Sequence, residues 1–331
     1  MKKIVVITTG GTIGSATQGG TINVSQRKNP VIDRALKGIE YKVLSPLNML
    51  SENTRPETWN QIAQAVLSLC WDDCAGIIIM HGTDTLCYTG AALSYLLSHI
   101  PIPVVLVSAA YEPDDPRSNA LINMQGAVDF IRTGGPRGVF AAYSNGGDCE
   151  IHLAARLEEI TAWGAQLHSY GGAPLGHITG HTFIPNRSPL NPAAASLNQI
   201  RQTVFSAETK FRNAVALIKA FPGICYGQID LTGCRAVLHS LYHSGTGPVS
   251  GEDSLTDLIR RCTEAEIPSY FTPAHRGDQY STTRAIMAAG AIPLPAVSTP
   301  AAYVKLVYYY NTPSVTPELI TQDLGFEILE L

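Results

Sequence analysis

The chain has 331 residues, 45% of them apolar and 15% charged, with a formal net charge of −4. That is enough apolar material for a sizeable core and enough length for two domains of ordinary size. The charge leaves no basic footprint for nucleic acid, and no apolar run approaches the ~18 residues that a membrane-spanning helix needs.

Lys3–Thr8 is predicted as the first strand. Lys2 and Lys3 imitate the start of a signal peptide, but the apolar part is short and runs straight into Thr8-Thr9-Gly10-Gly11. A cytoplasmic protein is therefore expected. Residues 15–30 are polar and glycine-rich without a strong period and read as a mobile surface loop. Tyr41–Ser45 is a short strand, followed by the loop holding Ser51 and Glu52. Pro56 and Glu57 open a helix to about Cys70, with Trp59, Ile62, Ala63, Val66 and Leu67 facing inward. Gly76–Met80 is an unbroken, β-branched apolar run, as suits a strand covered on both faces. It passes abruptly into His81-Gly82-Thr83-Asp84-Thr85 and then into a helical pattern through Ala91, Ala92, Leu93, Leu96 and Leu97. Strands at Pro103–Ser108 and Val139–Tyr143, with a helix over Leu121–Arg132 between them, complete four strand–helix alternations, which argue for a parallel sheet.

The proline-rich stretch 184–192 is a linker candidate. Beyond it, strands are predicted at Val215–Lys219, Ala236–Leu241 and Tyr270–Thr272, with helices at Asp253–Glu266, Thr282–Ala289 and Pro300–Tyr310. The expected fold is α/β: a larger N-terminal domain over 1–184, a linker over 185–205, and a smaller α/β domain over 206–331.

The seven cysteines are spread out and mostly flanked by apolar or small residues, which fits reduced thiols better than a disulfide framework. His177/His181 and His239/His243 are spaced i, i+4, but Gly180 interrupts the first pair and the second lies in a predicted strand, so neither makes a helical metal pair. No metal site is expected.

Two turns carry the chemistry. Thr8-Thr9-Gly10-Gly11-Thr12-Ile13-Gly14 follows the first strand but lacks both the dinucleotide and the P-loop pattern. His81–Thr85 follows the buried run. Both lie at the carboxyl edge of one sheet, where α/β folds bind ligands, and Ser51-Glu52 reaches the same edge. The bland reading of Thr83, Asp84 or Thr85 is a helix N-cap. The functional reading is a cleft with threonine hydroxyls, Ser51 and the carboxylates of Glu52 and Asp84. Carboxylates suit an α-amino group; hydroxyls and turn N–H groups suit an α-carboxylate or an oxyanion. A small amino-acid-like substrate follows, and no G-x-S-x-G elbow points to a serine hydrolase.

With these residues in place, the sequence resembles the bacterial-type L-asparaginases of the cytoplasmic kind. TTGGTIG and HGTDT are the specific motifs, supported by Ser51-Glu52, by Arg117-Ser118-Asn119 with Asn123, and by the stretch from Tyr280. The resemblance implies hydrolysis of L-asparagine to L-aspartate and ammonia without a cofactor. It implies Thr12 as nucleophile beside Gly11, Thr83 and Asp84 beside Gly82 as a second catalytic group, and Ser51 and Glu52 as substrate-binding residues. It implies a homodimer or homotetramer whose sites are closed by a neighbouring subunit, a reading to which the aromatic stretch Tyr303–Tyr310 lends weak support. Two features depart from the family. Residues 13–40 hold no tyrosine, Thr21 being the nearest match to the family's loop tyrosine, and no lysine occurs between Lys42 and Lys210. Arg156 falls where the family's lysine belongs and is expected beside Asp84. Rival expectations are an amidase of the same fold acting on glutamine or another small amide, a non-catalytic asparagine or aspartate binder, and the amide-hydrolysing subunit of a tRNA-dependent amidotransferase. The last usually carries an extra N-terminal domain, whereas this chain starts directly on its first strand.

Overall fold

The apolar run after Cys74 forms β5 (Cys74–Met80), in which Ile77, Ile78 and Ile79 are fully buried. Each such side chain contributes ~1.5–3 kcal/mol by leaving water, so this strand anchors its sheet. The computed structural model describes residues 2–10, 13, 15–18, 21–24, 29–162, 166–275, 277–313 and 315–329, with the main chain alone at 15–18 and 21–24.

β5 lies between β1 (Lys3–Thr8) and β6 (Pro103–Val107) in an eight-stranded sheet. The other strands are β4 (Tyr41–Leu44), β7 (Gly138–Ser144), β8 (Cys149–Leu153), β9 (Gly176–Thr179) and β10 (Thr182–Pro185). The spatial order is β10-β9-β8-β7-β6-β5-β1-β4. The five strands from β4 to β7 pair in parallel, as the strand–helix alternation requires. β8, β9 and β10 extend the sheet antiparallel. They lack the unbroken apolar run that marks β5 and β6 in the sequence.

Helices follow from their apolar spacing. α2 (Pro56–Leu67) starts on a proline and buries Trp59, Ile62, Ala63 and Val66, the predicted face. α3 (Leu86–Leu96) is buried almost all round and packs on α2 and β7, as an apolar helix inside a layered fold must. α4 (Ala120–Arg132) packs on β5 to β8. Its Met124, Ala127, Val128, Phe130 and Ile131 join Val105, Val107, Phe140 and Ala142 in one core.

Two expectations change. Residues 15–24, expected as loop, contain an antiparallel pair, β2 (Ser15–Gln18) with β3 (Thr21–Val24); their polar, glycine-interrupted sequence carries no apolar strand pattern. α1 (Pro30–Ala35) follows, with Asn29 Oδ1 accepting from Val31 N at 2.9 Å as its N-cap. The segment 185–205, expected as a linker, falls within the first of two compact units, which comprises residues 1–208 and 324–326. Its prolines interrupt helix and strand without detaching the chain: Leu197 in α5 (Ala194–Leu197) is 5% exposed in the sheet core, and Asn191 Nδ2 donates to Pro174 O at 2.9 Å.

The second unit comprises residues 209–323 and 327–331. Its sheet is parallel, in the order β11 (Ala214–Lys219), β12 (Cys234–Ser240), β13 (Ser269–Thr272), β14 (Ile292–Pro293). α6 (Leu255–Glu264) and α7 (Ser281–Ala288) supply Leu255, Leu258, Ile259, Cys262 and Ile286 to a core with Val237 and Phe271. α8 (Thr299–Asn311) packs on β11 and β12. Val304, Leu306, Val307 and Tyr308 of the aromatic stretch are buried within this unit, so much of that apolar surface is used internally.

Candidate active site

The carboxyl ends of β1 and β5 lie side by side, Thr8 opposite Met80. Thr9 donates to Met80 O twice, from its N at 3.2 Å and its Oγ1 at 2.9 Å. Thr9 O in turn accepts from Met49 N at 3.0 Å, and Gly10 pairs with Met49 in a parallel bridge. Gly10 has φ +105°, and a Cβ there would stand 2.1 Å from Met49 O. Neither the dihedral nor the space admits a side chain. This close approach draws the loop after β4 against the turn after β1 and brings the 3-10 turn Ser51–Asn53 to the sheet edge.

The second turn is locked from beneath. His81 is 2% exposed. Its Nδ1 lies 2.8 Å from Gly82 O, so Nδ1 carries the proton, and Nε2 then accepts from the Thr89 hydroxyl at 3.0 Å. Burial lowers its pKa, which keeps the ring neutral. Gly82, itself buried, is thereby tied to the first turns of α3.

The two edges meet at Ser51 and Asp84. Ser51, 6% exposed, donates its hydroxyl to Asp84 Oδ2 at 3.0 Å. Thr85 stands at the N-cap of α3, but its hydroxyl makes no cap bond. It donates instead to Ser51 O at 2.9 Å and lies 2.9 Å from Thr54 Oγ1. The helix-cap reading thus places Thr85 correctly and misses what its hydroxyl does. Thr83 is half-buried, and its hydroxyl has no hydrogen-bond partner among the described residues. Asp84 and Glu52 are exposed. Gly11 and Thr12 lie outside the described residues, as does the side chain of Thr21. Their neighbour Ile13 is fully buried, with its carbonyl held by Asn29 Nδ2 at 2.7 Å.

Arg156 corrects an expectation. It ends a 3-10 turn, Ala154–Arg156, and is 5% exposed. Its Nε donates to Phe326 O at 2.5 Å and its Nη1 to Leu190 O at 2.6 Å, and no ion pair joins it to Asp84 among the described residues. The turn packs tightly on α3: a Cβ at Gly90 would stand 2.8 Å from Ala154 O. A buried guanidinium needs acceptors, and the backbone carbonyls of two distant segments supply them.

Other polar residues hold the neighbouring strands. Asn123 donates to Ser108 O at 2.9 Å and accepts from Ser144 N at 2.7 Å. Asn119 accepts from Ala110 N at 2.9 Å and donates to Ser144 O at 3.0 Å. The Asn119/Asn123 segment therefore clamps the carboxyl ends of β6 and β7. The motifs contain Thr9, His81 and Thr85 without disclosing what their side chains bind, because Met80, Thr89, Ser51 and Thr54 lie elsewhere in the chain; Thr89 stands outside both motifs.

Among the described residues, no group of three or more His, Cys, Asp or Glu side chains is placed to hold a metal ion, and no helix is long and apolar enough to cross a membrane. The edge presents a free hydroxyl, a carboxylate fixed by a buried serine, and a second exposed carboxylate. Such a set can hold a small zwitterion and leave a hydroxyl for proton transfer.

The family model described as asparaginase, N-terminal, matches residues 3–190. A glutamyl-tRNA(Gln) amidotransferase subunit of Methanobrevibacter smithii is 30% identical, over 92% of this chain and 71% of its own length. The L-asparaginase of Thermococcus kodakarensis is 31% identical over 56% of this chain and 57% of its own. The solved structure of the thermostable L-asparaginase from Thermococcus kodakarensis superposes with a TM-score of 0.79, at 25% identity, covering 98% of this chain and 99% of the other.

Proposed function

Because the chain belongs to the asparaginase family, we propose that it hydrolyses the side-chain amide of L-asparagine, releasing L-aspartate and ammonia. The observation that carries this reading is the contact between Ser51 Oγ and Asp84 Oδ2, with Thr83 unengaged beside it. It joins at one sheet edge residues that are far apart in the chain and suited to an amino acid's two ends. In this reading Asp84 and Glu52 receive the α-amino group, and Ser51 with the Gly82 turn receives the α-carboxylate. Thr12, beside Gly11, attacks the amide carbon. The C–N bond breaks and ammonia departs with the proton taken from the threonine. Water then cleaves the acyl-threonine ester. Thr83 passes the proton that activates the water.

Arg156 takes no part in these transfers. A guanidinium stays protonated near neutral pH and cannot act as a base, and this one is bound to carbonyls. General-base catalysis, worth ~10²–10⁴-fold, then rests on Asp84 or on a group from another segment. Turnover below the family norm follows, with a pH profile lacking a lysine limb. We propose a homodimer or homotetramer as the working form.

A second reading has one specific observation behind it: the amidotransferase relatives align with most of this chain, the Methanobrevibacter smithii protein over 92% of it. The same chemistry would then release ammonia for use by a partner subunit. One assay separates the two. Purified protein alone, without ATP or metal, should release ammonia from L-asparagine faster than from L-glutamine, and Thr12→Ala should abolish it with the fold intact. Silence on both free amino acids, with ammonia release appearing only on addition of a partner subunit and charged tRNA, would overturn the first reading in favour of the second.

A further inference from the structure

The N–H groups of Gly82, Thr83 and Asp84 have no hydrogen-bond partner among the described residues. They directly precede α3, an 11-residue helix whose N-terminus carries partial positive charge. Open amides at such a place suit an anion. Their direction is set by the residue before them. Gly82 O lies 2.8 Å from His81 Nδ1. A planar trans peptide turns its C=O and its N–H to opposite sides. With Gly82 O held on a ring that is 2% exposed, the Thr83 N–H of the same peptide points away from the interior, where the half-buried Thr83 stands.

The ring is itself fixed. His81 N donates to Val107 O at 2.9 Å, which ties its main chain to β6. His81 Nε2 lies 3.0 Å from the hydroxyl of Thr89, a fully buried residue of α3. A hydroxyl inside a helix often bonds the carbonyl one turn back, as Ser94 does with Gly90 O at 2.7 Å. Thr89 makes no such bond among the described residues and gives its proton to His81 instead. Nε2 is then the acceptor and Nδ1 the donor, which is the tautomer that Gly82 O requires.

We propose that His81 is a positioning residue for substrate binding and that Thr89 fixes the tautomer through which it acts. His81 touches no substrate. It holds the Gly82–Thr83 peptide so that the amides of this turn face the anionic end of the substrate. This rests on the proposed function, in which the Gly82 turn receives the α-carboxylate. A residue that merely fills the core needs the size of the ring; this role needs a proton on Nδ1.

The test combines steady-state kinetics with NMR of the full chain labelled with nitrogen-15. At pH 7 the His81 ring should show a protonated Nδ1 and a bare Nε2. His81→Leu keeps an apolar body and removes the donor. It should raise KM for L-asparagine about tenfold, the worth of one hydrogen bond to a charged group, and leave kcat within about twofold, because uniform binding is what is lost. The Kd of L-aspartate should rise by a similar factor. His81→Asn places an amide nitrogen near the Nδ1 position and should keep KM within about threefold of wild type. The Thr83 amide signal should move in His81→Leu and stay near its wild-type position in His81→Asn. A merely structural histidine predicts the opposite split, with kcat lowered by the loss of folded molecules and KM unchanged. That split, equal damage by His81→Asn and His81→Leu, or a proton on Nε2 in the wild type would each overturn the proposal. If the wild type releases no ammonia from either free amino acid, the proposed function falls, and the ring tautomer with the Thr83 signal decides the role of His81. If His81→Leu fails to fold, the wild-type tautomer and His81→Asn decide.

Discussion

Thr85→Val removes one hydroxyl and keeps the side-chain shape. That hydroxyl lies within donating reach of both Ser51 O and Thr54 Oγ1, each at 2.9 Å, and its single proton serves one of them at a time. Each neutral hydrogen bond contributes ~1 kcal/mol net. Thr54 is half-buried, so water recovers part of its share, and the stability loss should be ~1–2 kcal/mol. A lost helix cap would cost about the same, but Thr85 makes no cap bond, so α3 itself should be unaffected. The effect falls on Ser51, whose carbonyl is released and whose bond to Asp84 Oδ2 loosens. We expect kcat/KM for ammonia release from L-asparagine to fall ~10-fold, the equivalent of 1.4 kcal/mol, chiefly through KM, because a binding group is displaced. Thr85→Ser should retain most of the activity. A double-mutant cycle with Ser51→Ala should show coupling of ~0.5 kcal/mol or more, as residues in contact do. Additive effects in that cycle, together with faster amide exchange in the first turn of α3, would show that Thr85 is a cap after all.

Gly10→Ala forces a side chain onto a φ of +105° and against Met49 O; strain of ~1–2 kcal/mol plus the lost Thr9–Met49 bond should lower Tm by several degrees and abolish turnover, and an unchanged melt would contradict the geometry. Arg156→Met strips the half-buried Phe326 and Leu190 carbonyls of their donor, which should destabilise the first unit by ~1–2 kcal/mol per lost bond without altering the shape of the pH–rate profile; a lost limb in that profile at normal stability would restore a catalytic role. His239 is 1% exposed in β12, neither ring nitrogen has a hydrogen-bond partner among the described residues, and burial holds its pKa down to about 4. With the unfolded value near ~6.5, the unfolded chain takes the proton first, so stability falls as pH drops below ~6.5 towards ~4. The loss between pH 7 and pH 5 should be ~2 kcal/mol, read as faster amide exchange in the second unit. His239→Leu should flatten that dependence, and an unchanged pH slope would show that another group sets it.

The sequence by itself determined the parallel core and the two turns at its edge. Runs such as Gly76–Met80 carry their burial in composition, and an abrupt change from apolar to His81–Thr85 marks where a strand ends. These are local properties, so they survive without knowledge of the fold. The hairpin β2–β3, the antiparallel strands β8 to β10 and the membership of residues 185–205 in the first unit did not show, because segments without an apolar run are defined by their partners. The site divides the same way. Ser51 and Asp84 were recognisable as chemistry, and only tertiary structure decided that they touch across 33 positions. Arg156 is the sharpest case. Its place in the chain invited a role beside Asp84, yet its acceptors lie 34 and 170 positions away, at Leu190 and Phe326. A buried charge goes to whatever acceptors the folded chain brings to it, and no pattern along the sequence records which those are.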